Sequence, residues 1–457
     1  MKVSKPDIEL IDSLPRPIGA PIFQRVIDHD SIRLWLCCAY VVSQIYMVPV
    51  WVVGPSWSVW PSITDLIVTL MLVLLLLARK NGVRPTSAIS AVKRLLLIVT
   101  AGAIVSYLVL TLNYLGLKTT DAFNDKGQNV GLYQIYRLCQ FLGVFWYSSR
   151  VDWSAKHRLW LRRSIGLTFW VSCALVLANY FDLVRTETLS PQIPKDLNIA
   201  GPWAYYSMGV VGNAVGSISF HHAYPAMQLL LLAAMYLYLL PMAKVWLPCG
   251  ILSCLWLCAL VSGSRAGFVA ASVLLVAVLL SRPRQLLLLL ASTALFVVVG
   301  LYFSANLADA FSRAVSRQQS IATSYDEDGL AGRVEIWSER VALLNWEPAL
   351  WLTGTGFGSA IESGNNGHML YLQTTLECGL VGTSVFLFLA WKVLSFLWRL
   401  GARARVLCYL TVAILLSGLT QETLYPVPAL GHFCGMYLFC IGVALSGRSV
   451  QSAVRLS

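Results

Sequence analysis

Residues 332–382 read GRVEIWSERVALLNWEPALWLTGTGFGSAIESGNNGHMLYLQTTLECGLVG. This is a polar, glycine-punctuated stretch, and His368 stands in it directly before a new helix-like apolar run. A histidine in water titrates close to neutral pH, so one at the mouth of a membrane cavity can act as a general base. His368 is therefore the catalytic candidate. The competing reading is local: His368 caps or starts the helix running toward Cys378, and Gly379 ends that helix in a left-handed conformation.

The rest of the chain is mostly membrane. Of 457 residues, 57% are hydrophobic and only 12% charged, with a mean hydropathy of +0.67. That leaves too little polar surface for a soluble globule and predicts an all-α, polytopic integral membrane protein. The net charge of +12 would suggest nucleic acid as partner for a soluble protein. Here Lys and Arg cluster in short loops between apolar runs, where they report topology and contact with membrane lipids, and no nucleic acid is expected. Of the eleven cysteines, all but Cys378 lie in or beside apolar runs and read as small packing residues, so no disulfide framework is expected. No cleavable signal peptide is expected ahead of the first span.

About twelve transmembrane helices are predicted, near residues 32–53, 63–78, 95–112, 131–147, 165–181, 226–242, 245–261, from 268, 286–303, 380–398, 406–419 and 427–445. The basic loops at Arg79 to Arg94, Arg150 to Arg163, Lys244, Arg282 to Arg284, Arg399 to Arg405 and the tail from Arg448 then fall on one side, the cytoplasmic one. The whole chain, 1–457, is a single membrane domain. One large periplasmic loop, 304–367, lies between spans nine and ten. Two amphipathic helices are predicted in it, one with Leu307, Ala310, Phe311, Ala314 and Val315 on a face, the other with Val334, Trp337, Val341 and Leu344, stopped by Pro348.

Three arginines on or near the outer side are candidate anion ligands. Arg137 lies inside the fourth span, where a charge is costly and either lines a cavity or pairs with a partner. Arg265 sits in the tight turn Ser262-Gly263-Ser264-Arg265-Ala266-Gly267. A guanidinium held there suits a diphosphate, whose oxygens it can engage two at a time, or it snorkels to lipid phosphate. Arg185 stands in the outer loop of 182–224. His221 and His222 in that loop lack partners at metal spacing and read as interfacial packing or substrate hydrogen bonding. The run Asp326-Glu327-Asp328 reads as a solvated turn, and Gly354, Gly356 and Gly358 as a turn more than a phosphate cradle. No metal and no cofactor are expected.

Read whole, Gly332-Arg333, Trp337, Pro348, Gly354-x-Gly356, His368, Tyr371-Leu372, Glu377 and Gly379-x-x-Gly382 resemble the O-antigen ligase and polymerase family. In that family a GR…W…P…G-x-G segment in a large periplasmic loop precedes an H-[Asn/Ser/Gln]-x9-G-x-x-[Gly/Thr/Val] motif. His368, Gly379 and Gly382 fit the spacing, while Met369 replaces its usual polar second residue. The resemblance implies an inverting, metal-independent glycosyltransferase of the bacterial inner membrane. Such an enzyme moves a glycan from an undecaprenyl-diphosphate carrier to an acceptor glycan or to lipid A-core. It implies His368 as base, Arg265 with Arg137 or Arg185 on the diphosphate, and His221, His222, Arg333 and Tyr371 as candidate substrate contacts. Within the family, Met369 favours a surface polysaccharide (O-antigen or exopolysaccharide) polymerase over the O-antigen ligase, whereas no outer-loop arginine makes the R-x10-G motif described for some polymerases. A lipid-linked glycan transporter is the alternative from another class, but the internal repeats expected of one are not evident.

Overall fold

The structure is a computed structural model that describes residues 29–47, 61–77, 86–111, 130–180, 183, 223–240, 246–281, 312, 315, 333–362, 367–426 and 431–446. The described residues form helices and no strand. The helices are α1 (His29–Ser43), α2 (Ile63–Leu77), α3 (Ser87–Ser106) with a π-helical turn (Tyr107–Thr111), α4 (Val130–Ser148), α5 (Ala155–Tyr180), α6 (Ala223–Leu239), α7 (Trp246–Val261) and α8 (Arg265–Leu280). There follow α9 (Arg333–Trp346), α10 (Ala349–Thr353), α11 (Ser359–Glu362), α12 (Leu370–Arg399), α13 (Arg405–Ser417) and α14 (Phe433–Ser446).

Hydropathy explains the packing. On α2 the side chains of Val68, Met71 and Leu75 are buried, yet Leu66, Leu70, Val73, Leu76 and Leu77 on the other faces are exposed and just as apolar. A helix hydrophobic all round is at home only in a core or a bilayer. α3 with its π-turn, α5 and α12 are each long and apolar enough to cross a membrane, and seven of the other helices are shorter but apolar. α6 and α14 are buried on nearly every face and form the centre, with α4 against α14, α8 against α13, and α3 against α12.

Each predicted span except the ninth contains a helix; residues 286–303 lie outside the described residues. Three helices, α3, α5 and α12, start about two turns or more earlier than predicted. α3 begins at Ser87, where the Thr86 hydroxyl accepts from the Ile89 amide, and α5 at Ala155, where Ser154 Oγ accepts from the His157 amide at 3.3 Å. Caps of this kind start a helix in polar sequence, before hydropathy rises. α12 starts at Leu370, ahead of the predicted 380. Its basic end and its neighbours carry aromatic partners: Lys93 lies 3.5 Å and Arg150 4.6 Å from the Trp146 ring, and Arg405 5.2 Å from Trp398.

Of the two amphipathic helices, the second is α9, ending two residues before Pro348. Its Leu344 is fully buried with Ala360 and Leu376, while Val334 is exposed. The first, and Asp326 to Asp328, lie outside the described residues apart from single positions.

Candidate active site

His368 does not cap α12. Met369 occupies the cap position, with no side-chain cap bond, and His368 precedes it with φ of +45°, the one non-glycine residue in the left-handed region among the described residues. A side chain there is held by its surroundings at a cost of about 1–3 kcal/mol, a pattern that clusters at functional sites. Nor does Gly379 end the helix. α12 continues to Arg399 across a kink at Gly379, whose φ of 65° and ψ of −173° are open essentially to glycine alone. A Cβ at Gly379 would lie 2.0 Å from the Leu352 carbonyl oxygen.

The imidazole is 46% exposed, and its Nδ1 lies 3.5 Å from Oε1 of Glu422, whose side chain is 9% exposed. Two segments far apart in sequence are thus side by side, and their backbones are tied together. The Leu370 amide donates to the Gly418 carbonyl at 2.8 Å. Arg333 donates to the Thr420 carbonyl at 2.5 Å, Trp337 Nε1 to the Gly367 carbonyl at 3.0 Å, and the Tyr371 hydroxyl to the Leu415 carbonyl at 2.7 Å. Arg333 and Tyr371, expected as substrate contacts, both donate to backbone carbonyls that hold this frame.

Beneath it Glu377 is fully buried. Its carboxylate accepts from the Gly358 amide at 2.7 Å, from Gln373 Nε2 at 2.8 Å and from the Tyr425 hydroxyl. Gln373 Oε1 in turn accepts from the Gly367 amide at 2.7 Å. Burial, and then the carboxylate of Glu377, push the Tyr425 hydroxyl well above its ordinary range, so it stays a donor. Gly354, Gly356 and Gly358 all have positive φ and pack on neighbouring backbone: a Cβ at Gly354 would meet the Glu377 carbonyl carbon at 2.5 Å, and one at Gly356 the Thr111 nitrogen at 2.3 Å. The turn reading of these glycines holds, and the close approach explains why glycine is needed.

Arg265 is the first residue of α8, after the Ser264 cap whose hydroxyl accepts from the Gly267 amide at 3.1 Å. The turn joining α7 to α8 is as tight as its sequence predicts, with Gly263 at φ of 67°. Arg137 is paired inside the bundle, as the second of its two readings has it. Its side chain is 3% exposed and lies 3.5 Å from Asp65 of α2, and it donates to Tyr133 at 3.2 Å. Asp65 also accepts from Ser62 and lies 3.3 Å from His432. A buried guanidinium needs such partners because desolvation is costly. Arg185, His221 and His222 lie outside the described residues.

A cavity of about 830 Å³ opens beside this frame, lined by apolar side chains of α3, α4, α12, α13 and α14 and reaching Leu370, Thr374, Cys378 and Tyr425.

Sequence reasoning missed Glu422 and Asp65. Both carried a signal. Glu422 is the only acidic residue after Glu377, set between two apolar runs, and Asp65 is the one carboxylate of its span. Lone charges at such depth imply partners.

These features define a helical membrane protein with a histidine–carboxylate pair at one end of a long kinked helix. Residues 250–387, from α7 into the middle of α12, match the family described as O-antigen ligase. That segment is therefore similar to the O-antigen ligase/polymerase-like family. No curated protein matches the chain.

Proposed function

We propose that the protein transfers a glycan from an undecaprenyl-diphosphate carrier to an acceptor sugar hydroxyl at the periplasmic face of the inner membrane, and that it is a polymerase of surface polysaccharide. The observation that carries this reading is His368, exposed and held beside Glu422, inside the segment that matches the O-antigen ligase family. His368 takes the proton of the acceptor hydroxyl while that oxygen bonds the anomeric carbon. The bond from that carbon to the diphosphate breaks, its electron pair leaves with the phosphate, and configuration inverts. Arg265, with Arg185, meets the charge that develops on the leaving diphosphate, which lowers the barrier because it acts most strongly in the transition state. The apolar cavity reaching Tyr425 suits the isoprenoid tail of the carrier. The basic residues beside Trp146 and Trp398 suit the cytoplasmic interface, which leaves His368, at the other end of α12, outside.

The second reading, a ligase acting on lipid A-core, is favoured by the description of the matching family as O-antigen ligase. Purified protein supplied with one carrier-linked repeat in chelator separates the two. A ladder of longer glycans on the carrier is expected. Product formed only when lipid A-core is added assigns the ligase, and inactivity relieved by a divalent cation overturns the metal-free mechanism.

A further inference from the structure

We propose that Glu422 is the positioning residue of His368: it holds the imidazole with the proton on Nδ1, which makes Nε2 the basic nitrogen. This rests on the reading of His368 as the base. A histidine base needs a defined tautomer, and the tautomer is set by what the other ring nitrogen bonds. The contact is made by Nδ1, 3.5 Å from Oε1 of Glu422. The carboxylate is nearly buried and the ring half-exposed, so the pair joins a shielded acceptor to a ring that reaches solvent.

The backbone fixes the pair from both sides. On the histidine side, Gly367 is held by Gln373 and Trp337, which leaves His368 in its left-handed conformation. On the glutamate side, Arg333 holds Thr420, and the Tyr425 amide donates to the Glu422 carbonyl at 2.8 Å. Tyr425 and Gln373 then converge on Glu377, so both halves of the pair are referred to one buried carboxylate. Orientation of this kind is worth building because catalysis is sensitive to small displacements of the reacting groups.

The test uses the full-length protein in nanodiscs, labelled with ¹⁵N-histidine, with the His368 signals assigned from His368→Gln. In the wild type at alkaline pH, the proton is expected on Nδ1. Glu422→Met keeps the size of the side chain and removes the acceptor; it should release the tautomer and lower kcat about 100-fold, the low end of what acid–base catalysis contributes, with KM for the carrier-linked donor little changed. Glu422→Gln keeps a carbonyl oxygen, so it should hold the Nδ1 proton and retain more activity than the methionine variant. A wild-type ring protonated on Nε2 overturns the proposal without any variant at Glu422, as does a methionine variant with unchanged tautomer and rate. A tautomer that follows Glu422 in a protein whose His368→Ala variant remains active would uphold the positioning and remove His368 as the base.

Discussion

His368 and Arg265 represent two ways of presenting a charged or titratable group at a membrane surface. His368 is held in a left-handed backbone conformation beside a carboxylate, whereas Arg265 opens a capped helix, where the amide dipoles add to its own charge. If Arg265 grips a diphosphate, geometry matters as well as charge. Arg265→Lys should then lose roughly 10-fold or more in kcat/KM, since an ammonium cannot reproduce the two-pronged contact of a planar guanidinium. Full activity in the lysine variant would reduce Arg265 to a point charge or a lipid anchor. Arg137 shows the limit of reading a single residue. Its place in the fourth span was legible as costly, but which of the two remedies applied depended on Asp65, which lies on a different helix.

At the scale of the element, α12 is the organising feature, and its kink is where the loop glycines meet it. The Gly354 and Gly379 backbones both adopt conformations open essentially to glycine, and each presses on the chain of the other segment. Gly379→Ala should cost about 2–5 kcal/mol, the sum of backbone strain and overpacking. Gly401→Ala, at φ of +93° but with nothing within 4 Å of the added Cβ, should cost only about 1–2 kcal/mol. Thermal unfolding of the two variants in the same detergent checks the ranking, and equal losses would show that the contact with Leu352 does not matter. The spacing of His368, Gly379 and Gly382 was visible in sequence because it is local. The kink was not: sequence reasoning took Gly379 for a helix terminator, and only the packing of α10 against α12 makes the helix resume. The pairing of His368 with Glu422 was hidden for the same reason, since it requires α12 to lie along α13.

Across the described residues of the molecule, hydropathy made the helices and their order legible, because apolar runs leave few alternatives in a bilayer. It placed helix starts late wherever a serine or threonine cap extended the helix into polar sequence, as at Thr86 and Ser154. The resulting arrangement puts the long helix α12 between two chemistries: His368 and Glu422 at its start, and Lys392 over Trp391 with Arg405 over Trp398 near its end. With 30 residues at about 1.5 Å rise each, the helix has a contour of about 45 Å, and the kink at Gly379 brings its ends closer than that. The proposed chemistry therefore depends on one residue at one end of that helix. The most direct measurement is turnover of purified carrier-linked repeat by reconstituted His368→Ala beside the wild type, both verified as folded and inserted. Loss of about 100-fold or more in rate is expected, in keeping with removal of a general base; elongation by the variant at near wild-type rate would contradict the account.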